Sequence, residues 1–294
     1  MLTRIISAAV GLVIMISMLI LHSTFLLPFI TAGIIAIMLF ELLRAVKLGK
    51  CLPVLISECL YGIAVPFIYS EMRTDSAEGS AYQLILNRDT VLFAGALFCC
   101  FIIFVTWLKQ HKNIRYEQIF FAVASMLLVP NAMSTMVRID RDNSQHGVFF
   151  LVLGLCGAWI ADSGAYFTGV AIGKHKLCPE ISPKKTIEGF VGGIISTAVV
   201  FVACFAVYNN LIAENPMKNE LLSYVAVAVT GALCAVIGTV GDLTASMIKR
   251  QIGFKDYGKI MPGHGGLMDR FDSVLFVLPT FYCLITIANN LNIL

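Results

Sequence analysis

Long apolar runs alternate with short polar segments along almost the entire chain. A run of about 20 apolar residues is long enough to cross the hydrocarbon core of a bilayer as an α-helix. The first run is too long for the core of a signal peptide and is followed by no small-residue cleavage site, so we expect it to remain as a span. The pattern predicts an all-α, polytopic integral membrane protein with about nine transmembrane helices, at residues 5–21, 25–43, 53–70, 91–108, 119–137, 147–171, 189–213, 221–241 and 273–292.

Composition agrees with this pattern and excludes other classes of protein. Only 13% of the 294 residues are charged and 58% are hydrophobic, whereas an average soluble domain carries about 25% charged residues. A soluble protein could not cover so much apolar surface. The net charge of +3 is too small for a nucleic-acid-binding protein. We therefore expect a lipid bilayer around the chain and no nucleic acid as a partner.

The basic residues predict the orientation of the chain in the membrane. With the N-terminus in the cytoplasm, 16 of the 21 Lys and Arg residues fall in cytoplasmic segments. Short cytoplasmic loops are enriched in Lys and Arg, so this orientation is favoured over its reverse. Five basic residues are left on the other side of the membrane, namely Arg73, Arg88, Arg138, Arg141 and Lys218.

Unusual polar residues gather in the second half of the chain. We therefore divide it into N-terminal transmembrane helices, 1–145, and a C-terminal transmembrane catalytic region, 146–294, with its site at the cytoplasmic face. Asp162 is the only charged residue between Val148 and Gly173. An ionisable group at membrane depth is a candidate for function, although an interhelical hydrogen bond would also explain it. Small residues near Asp162 would let another helix pack closely under either interpretation.

A basic segment, 174–188, follows this span and contains four lysines and one histidine. Ser182-Pro183 is typical of a turn, and the residues after it lead into a helix: Lys184, Lys185 and Thr186. One interpretation is a plain basic loop beside the membrane. The other is a cradle for an anion, in which ammonium groups and a helix N-terminus face a phosphate.

The segment 241–273 has the highest density of polar motifs. On a helix, Asp242 and Ser246 lie on one face with Lys249 or Arg250. A Gly/Pro-rich stretch with His264-Gly265-Gly266 follows, and a new helix then places Asp269 and Asp272 on one face. The loop between these helices is long enough to bring Asp242 close to Asp269.

Two carboxylates ringed by Lys and Arg suit a divalent cation with bound phosphates. Mg²⁺ commonly takes one or two carboxylates, and water and phosphate oxygens fill its other positions. The glycines would let backbone N–H groups approach a phosphate. His264 is either a hydrogen-bonded loop histidine or a phosphate donor, and a salt-bridged cytoplasmic loop is the alternative for the segment as a whole.

The 27 residues from Ser246 to Asp272 closely resemble the signature of the phosphatidate cytidylyltransferases, also called CDP-diacylglycerol synthases. Met261 stands at a variable position where Leu, Ile or Phe is usual. The regions of Asp162 and Ser182–Lys185 also look like the C-terminal half of that family. All the fixed positions of the signature match, at Ser246, Lys249-Arg250, Lys255-Asp256, Gly258, Pro262, His264-Gly265-Gly266, Asp269-Arg270 and Asp272.

The resemblance implies a Mg²⁺-dependent enzyme that transfers a cytidylyl group from CTP to phosphatidate. It also implies a homodimer, and we expect the enzyme in the inner (plasma) membrane with its site facing the cytoplasm. In our hypothesis Asp242 and Asp269 bind the metal, with Asp272 or Asp162 as a further ligand or partner. Ser246 and His264 would donate hydrogen bonds, beside the backbone of Gly265 and Gly266. The phosphates would be neutralised by Lys249, Arg250, Lys255, Arg270, Lys184 and Lys185.

Three other functions are alternatives to this one. Asp162 and Asp242 at helix depth would suit an intramembrane aspartyl protease, but the Gly-x-Gly-Asp motif of that class is off by one residue at Gly238-Thr-Val-Gly-Asp242. A transporter or channel would spread its charges through the membrane depth. A related transferase would keep the chemistry but use another lipid phosphate or alcohol as acceptor.

Overall fold

The computed structural model describes residues 11, 13, 15–71, 87–143, 145–218, 220–258, 260 and 265–294. Eight helices in this part of the chain are long and apolar enough to cross a membrane. They correspond to the second to ninth predicted spans and confirm the all-α, polytopic fold. Residues 5–10, 12 and 14 of the first predicted span, 5–21, lie outside the described residues, and 15–20 are helical.

The described helices and strands are named in chain order. We number them along the chain as helices α1 to α10 and strands β1 and β2. Their bounds are α1 Leu26–Ala45, α2 Leu52–Glu71, α3 Arg88–Lys109, α4 Tyr116–Met133, α5 Thr135–Asp142, α6 Gly147–Ile172, β1 Lys176–Cys178, β2 Ser182–Thr186, α7 Ile187–Val207 with a π-helical turn Tyr208–Ile212, α8 Leu221–Ile252, α9 Met268–Phe271 and α10 Val274–Asn290.

Helix α8 extends well beyond the predicted span 221–241 and ends only at Ile252. It ends there because Gly253 adopts a left-handed backbone conformation, with φ of 81°, which glycine accepts without a steric penalty. The N–H groups of Gly253 and Phe254 close the helix on the carbonyls of Arg250 and Lys249, at 3.2 and 2.9 Å. The polar half of α8, residues 242–252, therefore continues the apolar half, residues 221–241, without a break.

The predicted turn at Ser182-Pro183 is wrong. The turn lies at 179–181, and Ser182–Thr186 is a strand that pairs antiparallel with Lys176–Cys178. Pro179 supplies the fixed φ that suits the turn. A strand with one neighbour also tolerates Pro183, because not every N–H of such a strand takes part in the ladder.

The chain forms two compact units. The first comprises Met1–Arg138 and Asp256–Asp269, and the second comprises Ile139–Lys255 and Arg270–Leu294. The signature loop, which we define as Asp256–Asp269, thus folds with the N-terminal helices. The functional division at 145/146 stays a prediction. The core of the first unit is formed by buried side chains of α1 to α4, among them Leu43, Val54, Val65, Ile103, Ile119 and Met126.

The second unit is built around the close pair of helices α6 and α7. A Cβ atom added at Gly193 would lie 2.8 Å from the Ala161 carbonyl oxygen, and one at Gly189 would lie 2.6 Å from that of Ala165. The predicted close approach at small residues is confirmed. Deeper in the unit, the Phe201 and Phe281 rings pack edge to face with centroids 6.0 Å apart.

Candidate active site

In the second unit, the basic hairpin and the polar half of α8 meet at an ion pair. The Lys185 ammonium lies 2.6 Å from Oδ2 of Asp242, and the two side chains are 24% and 25% exposed. Lys185 is near the end of β2, and Asp242 is the first carboxylate after the apolar half of α8. The structure therefore brings together two site residues that the sequence placed in separate motifs.

Two further carboxyl groups of the second unit interact with Asp242. Asp162, exposed on α6, is within electrostatic range of Asp242 and Lys185. Asp272 is buried, with 7% of its surface exposed, and it interacts with Asp242, Asp162 and Lys249. We define the carboxylate–lysine cluster as these five residues of the second unit: Asp162, Lys185, Asp242, Lys249 and Asp272. Its three carboxyl groups supply oxygen atoms, and its two ammonium groups supply positive charge.

Hydrogen bonds at the start of α7 hold the hairpin in place. The Thr186 hydroxyl accepts the N–H of Gly189 at 3.1 Å and caps the helix. The Glu188 carboxylate accepts the backbone N–H groups of Lys174 and His175, at 3.0 and 3.2 Å, and contacts Nδ1 of His175 at 2.6 Å. These contacts fix the strand that carries Lys185, while the neighbouring Lys184 is exposed.

In the first unit, Asp269 holds the signature loop together. Its Oδ2 atom accepts the backbone N–H groups of Tyr257 and Gly266, at 2.8 and 3.0 Å. Gly265 has a φ of 90°, a conformation that favours glycine. His264 lies outside the described residues, so its predicted role is untested.

The other predicted site residues are placed as follows. Ser246 is half-buried and Arg250 exposed on α8, and Lys255 and Arg270 are also exposed. Asp242 belongs to the second unit and Asp269 to the first. Their predicted pairing at one metal ion therefore stays a prediction, as do the individual roles of these residues.

Glu41 was not among the site residues predicted from the sequence. This residue of α1 is 2% exposed, and its carboxylate accepts the N–H groups of Leu267 and Met268 in the signature loop, at 3.1 and 2.8 Å. A signal was available, because Glu41 is an acidic residue inside the predicted span 25–43 and such residues are candidates for function. The approach of Gly266 to this carboxylate was not foreseen either.

The carboxylate–lysine cluster offers oxygen atoms that a metal ion could bind. In the described part of the chain, no group of three or more His, Cys, Asp or Glu side chains is arranged to hold a metal by itself. Mg²⁺ needs no such group, because it commonly binds through one or two carboxylates and takes water and phosphate oxygens as its other ligands. The carboxylate oxygens of the carboxylate–lysine cluster are ligands of the kind that this cation takes.

The fold is that of a polytopic membrane protein, and the cluster has residue types that suit phosphate groups. Lysines beside carboxyl groups at the ends of apolar helices supply both the charges that phosphates need and the oxygen ligands of a cation. A sequence profile of the cytidylyltransferase family matches residues 2–288. The chain belongs to this family.

Individual proteins that are similar to this chain agree with the family match. A phosphatidate cytidylyltransferase of Bacillus subtilis (strain 168) is 35% identical over 254 residues, which cover 86% of each chain. Proteins of the same name match over shorter stretches: 45% identity over 134 residues in Staphylococcus haemolyticus and 37% over 167 residues in Haemophilus influenzae. These two matches cover 47% and 55% of the relatives' lengths, about half of each.

Proposed function

We infer that this chain transfers a cytidylyl group from CTP to phosphatidate, yielding CDP-diacylglycerol and pyrophosphate. The observation that carries this inference is the family match over nearly the whole chain, together with the Bacillus phosphatidate cytidylyltransferase that aligns with 86% of it. The carboxylate–lysine cluster supports it independently, because both substrates present phosphates. An aspartyl protease or a transporter would leave the signature from Ser246 to Asp272 without a purpose.

The reaction needs no side-chain nucleophile. A phosphate monoester has a second pKa of about 6, so the phosphatidate phosphate is largely dianionic at pH 7. One of its oxygens attacks the α-phosphorus of CTP, and the bond from that phosphorus to the bridging oxygen breaks as pyrophosphate leaves with the electron pair. The protein must align the two phosphates and neutralise their charge.

We assign the neutralising charges of the second unit to Lys185 and Lys249. Lys185 pairs with Asp242 and Lys249 interacts electrostatically with Asp272, and an ammonium group binds phosphate as a point charge. Arg250, Lys255 and Arg270 are exposed and would act on the outer phosphates of CTP, whereas the exposed Lys184 is assigned no phosphate. Ser246 and His264 remain proposed hydrogen-bond donors.

We propose Mg²⁺ as the cofactor, held by Asp242 with Asp162 or Asp272, while the metal-binding role of Asp269 stays a prediction from the sequence. A bound Mg²⁺ would supply positive charge to the phosphates of CTP and to the departing pyrophosphate. Removal of divalent cations with a chelator is expected to stop product formation, and added Mg²⁺ should restore it.

We further propose that the site faces the cytoplasm at the surface of the inner membrane and that the enzyme works as a homodimer. The first proposal rests on the excess of Lys and Arg in the segments that would be cytoplasmic and on the need to meet a soluble nucleotide and a lipid headgroup at one interface. The second rests on the family resemblance, and chemical cross-linking in native membranes tests it.

A direct assay tests the activity. Purified protein in phosphatidate-containing micelles with Mg²⁺ and labelled CTP should release pyrophosphate and form a labelled lipid. A panel of other lipid phosphates and lipid alcohols distinguishes phosphatidate from a different acceptor. Failure with CTP on every acceptor, in protein shown to be folded, would overturn the proposed function.

Asp242→Asn is expected to lower turnover at least about 100-fold, because it removes a charge needed for positioning and stabilisation at the reacting phosphates. The matched control is Asp89→Asn, whose carboxylate is 75% exposed and pairs with the neighbouring Arg88. Turnover is measured for both variants in protein with a wild-type melting temperature. Near-normal turnover of Asp242→Asn would remove this residue from the site.

A further inference from the structure

We propose that Glu41, on the first described transmembrane helix, is a positioning residue that holds the signature loop, and with it Asp269, in its active arrangement. The inference rests on the proposed function for its kinetic consequences. Its structural basis lies entirely within the first unit, in contacts between α1 and Asp256–Asp269.

The first observation is the hydrogen bonding of the Glu41 carboxylate. Oε1 accepts the N–H of Leu267 at 3.1 Å and Oε2 accepts the N–H of Met268 at 2.8 Å. Both oxygens of a buried side chain are thus used by two consecutive backbone groups 226 and 227 residues away in sequence. Hydrogen bonds to a charged acceptor are stronger than neutral ones, and burying a carboxylate would be unfavourable without them.

The second observation is the fit of two signature glycines around this carboxylate. A Cβ atom at Gly258 would collide with Oε1 of Glu41, and one at Gly266 would lie 2.6 and 2.7 Å from its two oxygens. Only hydrogen atoms fit at these positions while the carboxylate is in place. Among the described residues of the loop, Gly266 therefore allows the backbone to come close to the Glu41 carboxylate.

The third observation links Glu41 to a predicted catalytic residue. The Asp269 carboxylate accepts the N–H groups of Tyr257 and Gly266, and Glu41 accepts the next two along the chain. The two carboxylates also lie within electrostatic range of one another. The loop backbone is thus hydrogen-bonded to two carboxylates. Loss of the hydrogen bonds to Glu41 would shift the backbone at 267–268 and, with it, the neighbouring N–H of Gly266 that binds Asp269.

Loss of this support should affect the chemical step more than substrate affinity. A displacement of about 1 Å at a reacting group is able to cost about 100-fold in rate. For Glu41→Gln we expect kcat to fall about 10- to 100-fold, with the KM for CTP changed by less than about threefold. Glutamine keeps the size of the side chain, but its amide NH₂ would face one of the two N–H groups. Glu41→Asp keeps the charge and should recover part of the lost kcat.

The matched control is Glu58→Gln, the same change at a buried glutamate of α2 in the same unit. Glu58 is fully buried, and its carboxylate is hydrogen-bonded to no described residue of the signature loop. Its substitution should leave kcat within about twofold of wild type, as expected for a site with no contact to the reaction.

Hydrogen–deuterium exchange of the full-length protein provides a readout that does not depend on activity. In wild type, the amides of Leu267 and Met268 should exchange slowly, because Glu41 accepts both. In Glu41→Gln the peptide carrying them should exchange at least about tenfold faster, while peptides from α7 and α8 remain unchanged. Glu58→Gln should leave the loop peptide unaffected.

A double-mutant cycle tests the fit of the glycines. Gly258→Ala alone should lower kcat much as Glu41→Gln does, because the new methyl group displaces the carboxylate. In a Glu41→Ala background the same substitution should cost little more, because the methyl group then enters vacated space. Wild-type kcat and unchanged loop exchange in Glu41→Gln would overturn the role of Glu41, whereas an inactive wild type with faster loop exchange in Glu41→Gln would overturn only the proposed function.

Discussion

At the scale of single residues, two adjacent lysines have different environments although they look equivalent in the sequence. Successive side chains of a strand point to opposite faces, and both lysines lie in β2. Lys185 pairs with Asp242 at 2.6 Å, while Lys184 is exposed. Strand geometry therefore separates a lysine of the cluster from one that faces the surroundings.

This difference predicts unequal effects of two identical substitutions. Lys185→Ala removes one partner of a half-buried ion pair and should lower kcat/KM for CTP about tenfold or more, which corresponds to about 1.4 kcal/mol. Lys184→Ala is its matched control and should change kcat/KM by less than about twofold, as exposed charges contribute little. Steady-state assays over a range of CTP concentrations measure both values. Equal effects of the two substitutions would contradict the assignment of Lys185 to the site.

At the scale of elements, the contact of α6 with α7 positions the groups of the cluster. Helix α6 carries Asp162, and α7 begins directly after the strand that carries Lys185. The two helices approach closely because glycines and alanines line their contact, as is common for helices in membranes. Gly193 faces the Ala161 carbonyl oxygen, one residue before Asp162, so close that no side chain fits.

Two glycine-to-alanine substitutions test this packing. Gly193→Ala should lower the melting temperature by several degrees and reduce activity, because overpacking costs about 1–3 kcal/mol. Gly33→Ala is the same change in α1, where an added Cβ meets nothing within 4 Å, and alanine is the better helix former by about 1 kcal/mol. It should be neutral or slightly stabilising. Thermal melts in detergent compare the two, and a stable Gly193→Ala would refute the close contact.

At the scale of the whole molecule, the chain combines distant segments in each unit. The signature loop joins the N-terminal helices in the first unit, and the two segments on either side of it belong to the second. Any description of the site by one continuous stretch of sequence is therefore incomplete. The N-terminal helices have at least one specific contact with the signature loop, through Glu41.

The predicted orientation of the molecule is testable by labelling from one side of the membrane. In a variant with all nine natural cysteines replaced, single cysteines are introduced as Lys176→Cys in the hairpin and Lys218→Cys between α7 and α8. A membrane-impermeant maleimide should label position 218 in intact spheroplasts and position 176 only after lysis, because the basic hairpin is expected in the cytoplasm. The opposite pattern would reverse the orientation, and lysed cells with both positions labelled serve as the control.

The sequence by itself determined the class of fold and the chemistry of the site. Apolar runs of membrane length allow little besides helices, since backbone polar groups have no water to bond with in a bilayer. The signature from Ser246 to Asp272 indicated phosphate chemistry through residue types at fixed spacings. These properties are local, and a linear pattern carries them.

Only the tertiary structure decided which of these residues meet. The pairing of Lys185 with Asp242 and the contact of Glu41 with Leu267 and Met268 each depend on how segments distant in sequence pack. The turn before Ser182 is local, but its position is set by the pairing of Lys176–Cys178 with Ser182–Thr186. In the sequence alone, Glu41 is one acidic residue within an apolar helix. Its role follows from the two backbone N–H groups that the fold places against it, because a buried carboxylate is stable only where such partners are supplied.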